Sequence, residues 1–343
     1  MQASTTTSLP ASSPSLTASA QSASAHTLSE SSAIQLPDSG VARLEHLGVI
    51  EVSGEDAIRF LNGQLSNDLN QLSPSRASLA AFCSAKGRMQ ASFVAIKRDS
   101  SDVLLVCSAD LLAPTLKRLS MFVMRAKAKL RDASADFAVY GLLGQSATAL
   151  SADAASPWSA ANAGEASVVQ LYPAKGLARQ LWLSPTSAPA PAGPALALAD
   201  WQCSEVLSGV ATVNAAVVEA FVPQMLNFES VGGVSFKKGC YPGQEVVARS
   251  QFRGTLKRRA YIAQLPPSDS DAPVAAGQEL FSSQDPDQPC GLVVQAARSA
   301  QGSWLAIVSM QTSAAEAGNL HLGSPSGTAL ALLPLPYALL EDI

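Results

Sequence analysis

The first 42 residues of this 343-residue chain contain no lysine or arginine. A mitochondrial presequence needs arginines and a secretory signal needs a basic start followed by an apolar stretch, so neither is expected. Apolar content is low there too: up to Leu36 the chain is mostly Ser, Ala, Thr and Pro, with Glu30 its only formal charge. Such a segment buries too little to offset the entropy of ordering, and a disordered tail over residues 1–38 is expected. No apolar run reaches the roughly 20 residues of a membrane span. The richest, Ala329 to Leu340, is broken by Pro334 and Pro336. Histidine is scarce: His26, His46 and His321 are too dispersed for a metal site or a triad and read as incidental. The five cysteines (Cys83, Cys107, Cys203, Cys240, Cys290) form no C-x-x-C and no metal-ligand spacing. Free thiols in a reducing cytoplasm, and no bound metal, are expected.

Charged residues make up only 15% of the chain against 47% hydrophobic ones, which is ample for a buried core. The net charge of −4 and pI of about 5.4 argue against general nucleic-acid binding, so no direct DNA contact is expected. The length suggests two or more units at about 150 residues per domain.

Leu47–Val52, Ser78–Cys83, Gln90–Lys97, Val103–Cys107 and Phe137–Leu143 read as strands. Ser53 is the expected N-cap of a short helix carrying Ile58, Leu61 and Leu65. Leu111 to Val123 has helical spacing, with a kink or restart expected at Pro114. Ser151–Gly164 and Pro185–Pro194 read as surface loops, and Trp201–Leu207 as a helix. After Arg259 come short β-like runs (Tyr261–Leu265, Leu292–Ala296, Trp304–Ser309, Ala329–Leu333), the pattern of a small antiparallel barrel or sandwich of about 85 residues.

The densest chemistry lies in Phe236-Lys237-Lys238-Gly239-Cys240-Tyr241-Pro242-Gly243-Gln244-Glu245. One thiol stands between two lysines and a Pro-Gly turn, with a helix expected to follow. Seven Lys/Arg and a single acid, Glu245, fall between Lys237 and Arg259, an island of +6. Nearby cations and a helix N-terminus favour a thiolate.

The run Lys238 to Glu245 resembles the K-G-C-Y-x-G-Q-E motif of the YgfZ folate-binding protein family, which is related to the aminomethyltransferase (T-protein) of the glycine cleavage system. Phe60-Leu61-Asn62-Gly63-Gln64-Leu65-Ser66-Asn67-Asp68, Lys86-Gly87-Arg88, the block from Phe221 to Gly254, and Leu335-Pro336-Tyr337 are similar to it as well. The resemblance covers roughly residues 40–343. It implies an α+β fold: two α/β subdomains interleaved around a central hole that holds folate over 39–258, then a C-terminal antiparallel β-barrel over 259–343. It also implies tetrahydrofolate as ligand, and support of iron–sulfur enzymes or assembly proteins, with an indirect link to tRNA-modifying enzymes.

Two departures stand out. Aminomethyltransferases of this superfamily carry an acid after the first hairpin, whereas Met89-Gln90-Ala91-Ser92-Phe93 has none. The resemblance also places two tryptophans near the pterin; one falls at Trp201 and the other near Leu47.

On this reading Cys240 and Lys238 are the reactive pair. Trp201, Tyr241, Gln244, Glu245, Gln64 and Asp68 are the candidate folate contacts. Each has a plainer alternative: Trp201 and Tyr241 as core aromatics, Glu245 as the i,i+4 partner of Arg249, Gln64 and Asp68 as caps and turns. Two other functions stay open. One is a folate-dependent one-carbon transferase on a small amine, with Asp68 or Glu245 as its base. The other is a non-catalytic scaffold that docks a partner through Lys257 to Arg259.

Overall fold

The computed structural model describes residues 34–99, 101–147, 156–252, 256–267 and 272–340. The expected disordered tail lies largely outside these residues, but its boundary at 38 is too late: Ile34 is buried in the core. Ile34–Ile343 forms one compact unit.

The chain interleaves two sheets. Strand β1 (Ser39–Arg43) belongs to the second sheet. The chain then leaves to build the first from β2 (Leu47–Ser53), β3 (Ser78–Cys83), β4 (Met89–Lys97), β5 (Asp102–Ser108) and β6 (Lys129–Asp132), in the order β3-β4-β5-β2-β6. It returns through β7 (Phe137–Gly144), β8 (Ala160–Ala163), β9 (Ala166–Gln170) and β10 (Arg179–Pro185), which complete the order β1-β7-β10-β9-β8. All these pairings are antiparallel. Strand β8 corrects the expectation of a loop throughout 151–164; residues 148–155 lie outside the described ones.

Two helices cover the outer face of the first sheet: α1 (Ala57–Asn62) and α2 (Ala109–Ser120). Alternation along the strands sorts their side chains. On β5, Val103, Leu105 and Cys107 pack with the helices, while Leu104 and Val106 pack between the sheets with Val139, Leu143, Val169 and Leu181. With both faces covered, these strands read as continuous apolar runs. Ser53 is not the N-cap of α1. It ends β2, and Asp56 takes the cap position and accepts the Lys127 N–H at 2.9 Å. Pro114 lies inside α2, which continues through it.

Helix α3 (Leu198–Leu207) follows, then a long irregular stretch and α4 (Gln244–Phe252). The rest is a closed antiparallel barrel of β11 (Arg258–Leu265), β12 (Glu279–Ser282), β13 (Gly291–Arg298), β14 (Trp304–Gln311), β15 (Leu320–Leu322) and β16 (Thr328–Leu333), with a short α5 (Thr312–Ala317). Cys203, Val206 and Leu207 of α3 share one core with Ile262, Val294 and Ile307 of the barrel. On its other side Trp201 joins the core between the sheets.

Gly141, in the middle of β7, lets Trp201 lie against the second sheet: a Cβ there would stand 2.4–2.5 Å from three atoms of the indole. Gly141→Ala is expected to cost about 1–3 kcal/mol, as overpacking of a filled core does. Urea unfolding checks this, and an unchanged midpoint would contradict the packing described.

Candidate functional site: a central cavity and an exposed thiol

A cavity opens where the two sheets meet α3. Its walls include Leu79, Ser92, Phe93, Val106, Trp158, Tyr172, Arg179, Trp201, Glu205 and Thr212. The charged groups among its lining residues are Glu205 and Arg179.

Glu205 stands one helical turn after Trp201, so both face the same side of α3. Trp201 Nε1 donates to Glu205 Oε1 at 2.9 Å, and Gln295 Nε2 of β13 donates to Oε2 at 3.2 Å. The register of β13 slips between Val293 and Gln295, a bulge of the kind that re-aims a side chain. His46, in the turn before β2, places Nε2 3.2 Å from both carboxylate oxygens. An ionised carboxylate only accepts, so Nε2 carries the proton. Burial pulls the His46 imidazole down, and the hydrogen bond and charge of Glu205 more than offset this, leaving it above its ordinary 6.5. The Arg179 guanidinium lies 4.5 Å from the Trp201 ring centroid, and its Nε donates to Ser204 Oγ at 2.8 Å. Burial pulls Arg179 down to about 10, opposed by the charge of Glu205, so it remains a cation at neutral pH.

Trp201 lines the cavity, but as a wall with no exposed surface: its ring packs over Gly141 and beside Arg179. The free aromatic surface belongs to Trp158 and Tyr172, which are half-buried and meet edge to face at 6.0 Å. Leu47 lines the cavity where the resemblance put a second tryptophan. Glu205, Arg179, Trp158 and Tyr172 were missed in the sequence, and His46 was dismissed as incidental. One local signal pointed to Glu205, its i,i+4 spacing from Trp201.

The other expected folate contacts lie elsewhere. Tyr241, Gln244, Glu245, Gln64 and Asp68 are absent from the cavity lining. Glu245 is exposed on α4 and pairs with Arg249 at 2.7 Å. Asp68 caps a 3-10 turn, accepting from the Asn70 N–H at 3.1 Å. Gln64 lines a separate surface depression with Arg59 and Arg125, and its Oε1 is buried without a partner. Tyr241 is buried.

The loop that displays Cys240 is held by Lys238, Tyr241 and Gly243. Lys238 Nζ donates to the Asn62 carbonyl at the end of α1 at 2.6 Å and lies 4.7 Å from the Tyr241 ring centroid. Burial lowers the Lys238 ammonium, with the charges of Asp68 and Cys240 opposing. Gly243 (φ +79°) seats against the hairpin after β3: a Cβ there would fall 2.4 Å from the Ser84 carbonyl and 2.6 Å from Gly87. Anchored on both sides, Cys240 is exposed while the other four cysteines are buried. Burial pushes the thiols of Cys83, Cys107 and Cys203 up to about 12 and that of Cys290 upward.

The basic island breaks up in three dimensions. Arg259 is buried and paired with Glu229, whose carboxyl is raised by burial against the pull of that arginine. Arg258 donates to the Cys290 carbonyl at 3.0 Å. Arg253 lies outside the described residues.

Two interleaved sheets around a cavity, followed by a barrel, define an aminomethyltransferase-like fold. The aminomethyltransferase T of the glycine cleavage system from Bartonella henselae superposes with a TM-score of 0.57 at 14% identity, covering 88% of this chain and 86% of that one. The model of the GCVT N-terminal domain matches residues 10–170. Within that class the chain belongs to the YgfZ family. It is 32% identical to the tRNA-modifying protein YgfZ of Edwardsiella ictaluri (86% of this chain, 92% of that protein) and 30% identical to that of Sodalis glossinidius (87% and 93%). It is also 31% identical to that of Colwellia psychrerythraea (66% and 72%).

Native protein treated with a chromogenic disulfide is expected to titrate one fast thiol per chain, and Cys240→Ser to remove it. More than one fast thiol would contradict the burial of the other four.

Proposed function

We propose that the chain binds a reduced folate, tetrahydrofolate, in the central cavity, and that Cys240 acts in the assembly or repair of iron–sulfur clusters in partner enzymes, with tRNA modification downstream. The observation that carries the folate half is a buried carboxylate on the wall of a cavity with flat rings. A pterin presents adjacent N–H donors on one edge, and a carboxylate accepts two of them. Its faces suit aromatic walls. The residues present therefore fit the group, with Glu205 as acceptor and Trp158 and Tyr172 as flat surfaces. Bound folate would supply one-carbon chemistry at its N5/N10 edge.

The thiol half rests on the exposure of Cys240 and on the family, whose members are named tRNA-modifying. An exposed thiolate is a nucleophile and a soft ligand. A cluster usually takes about four ligands. Among the described residues no three of His, Cys, Asp and Glu are gathered to hold a metal, so a partner supplies the others. Transfer to a small amine is the weaker reading. Strand β4 offers the cavity Ser92, Phe93 and Val94, with no carboxylate. Asp68 and Glu245 lie outside the lining. The scaffold reading through Lys257 to Arg259 loses Arg259, whose charge reversal would break a buried pair.

Calorimetry with anaerobic tetrahydrofolate is expected to show binding that Glu205→Ala weakens roughly 10- to 100-fold, the loss of a charged hydrogen bond. A strain carrying Cys240→Ala is expected to lose activity in iron–sulfur enzymes. No heat of binding in the wild type, or full activity in that strain, would overturn the corresponding half.

A further inference from the structure

We propose that His46 is a positioning residue that competes with the ligand for the Glu205 carboxylate, so that the cavity takes up a pterin-type ligand preferentially when His46 is neutral. This rests on the folate reading.

A carboxylate offers about four lone-pair sites. Three protein donors already occupy Glu205, and two of them are fixed. Trp201 has no exposed surface and is wedged against Gly141. Gln295 is tethered at its other end, where Oε1 accepts the Thr212 N–H at 3.2 Å. His46 is the donor able to leave. Its side chain is 26% exposed, whereas that of Glu205 is 11% exposed. Its Nδ1 is buried with no hydrogen-bond partner, so the ring is held on one side only. It also bridges the two oxygens symmetrically, and the next residue, Leu47, lines the cavity, so a donor edge that takes both oxygens would compete with it.

The cost of displacement depends on the charge of His46. As a cation it makes a charge-assisted bond to the carboxylate; as a neutral ring it makes a weaker one. Glu205 faces it from α3, and Arg179 of β10 lies beside Trp201 and acts on Glu205. Glu45 precedes it in the turn. Asp110, at the start of α2, is engaged by Ser108 Oγ at 2.6 Å and the Ala215 N–H at 3.0 Å. Glu205 is what holds the imidazole above its ordinary value in the free protein. A ligand that takes Glu205 removes that support, so binding releases a proton and affinity rises with pH through the free-state value of His46.

Calorimetry with anaerobic tetrahydrofolate from pH 6 to 8.5, in two buffers of different ionisation enthalpy, tests this. The wild type is expected to bind on the order of tenfold more tightly at the upper end and to release a proton near neutral pH, one unit of pKa being tenfold. His46→Gln is expected to bind with a flat pH profile and no proton release. NMR titration of the His46 ring in the wild type gives a second readout independent of the variant's folding. Its pKa is expected to fall on ligand binding. A flat wild-type profile, a slope that survives in a folded His46→Gln, or a His46 pKa that is unchanged by ligand would each overturn the proposal while leaving folate binding intact. No binding at any pH, in wild type and variant alike, would overturn the folate reading and this inference with it.

Discussion

A carboxylate taken out of water is costly unless donors replace its hydration. Glu205 meets that condition with hydrogen-bond donors from three separate regions of the chain. Trp201 comes from its own helix, His46 from the turn entering the first sheet, and Gln295 from the barrel. The second sheet adds Arg179, whose charge acts across the Trp201 indole. The cavity, the packing of α3 and the docking of the barrel thus depend on one another through this group. None of the three donors is near another in sequence.

The thiol is presented by different means. Its loop is held by a lysine on a helix-end carbonyl, a buried tyrosine and a glycine turn seated on a hairpin. Several residues of the cysteine motif thus shape the loop. Lys238, Tyr241 and Gly243 fix the path of the chain, and Cys240 is left outside. Cavity and thiol are distinct places in the fold, one walled by α3 and the two sheets, the other at the end of α1.

Much of the architecture was legible in the sequence. Ser78–Cys83 was bounded as found, and β2, β4 and β5 were placed to within a residue, because runs buried on both faces are continuous and apolar; the short, largely exposed edge strand β6 has no such run and was missed. The barrel's shorter strands, Glu279–Ser282 and Leu320–Leu322, carry too few residues for a pattern to register. The motif located the exposed thiol, and the residues beside it do not line the central cavity. Gln244 and Glu245 look like recognition residues next to Cys240, yet they begin an outward-facing helix. The contacts that hold the cavity's carboxylate span up to 159 residues, as with His46 and Glu205, and no local spacing reveals them. Arg259 shows the same limit in reverse: a basic cluster in sequence hid a buried ion pair formed 30 residues back.

The most direct test of the account is a crystal structure of the protein soaked anaerobically with tetrahydrofolate. The account predicts the pterin edge within hydrogen-bond distance of Glu205, with the His46 ring turned away and Trp201 unmoved. A ligand seated elsewhere, or seated in the cavity while His46 still bridges both oxygens of Glu205, would contradict it.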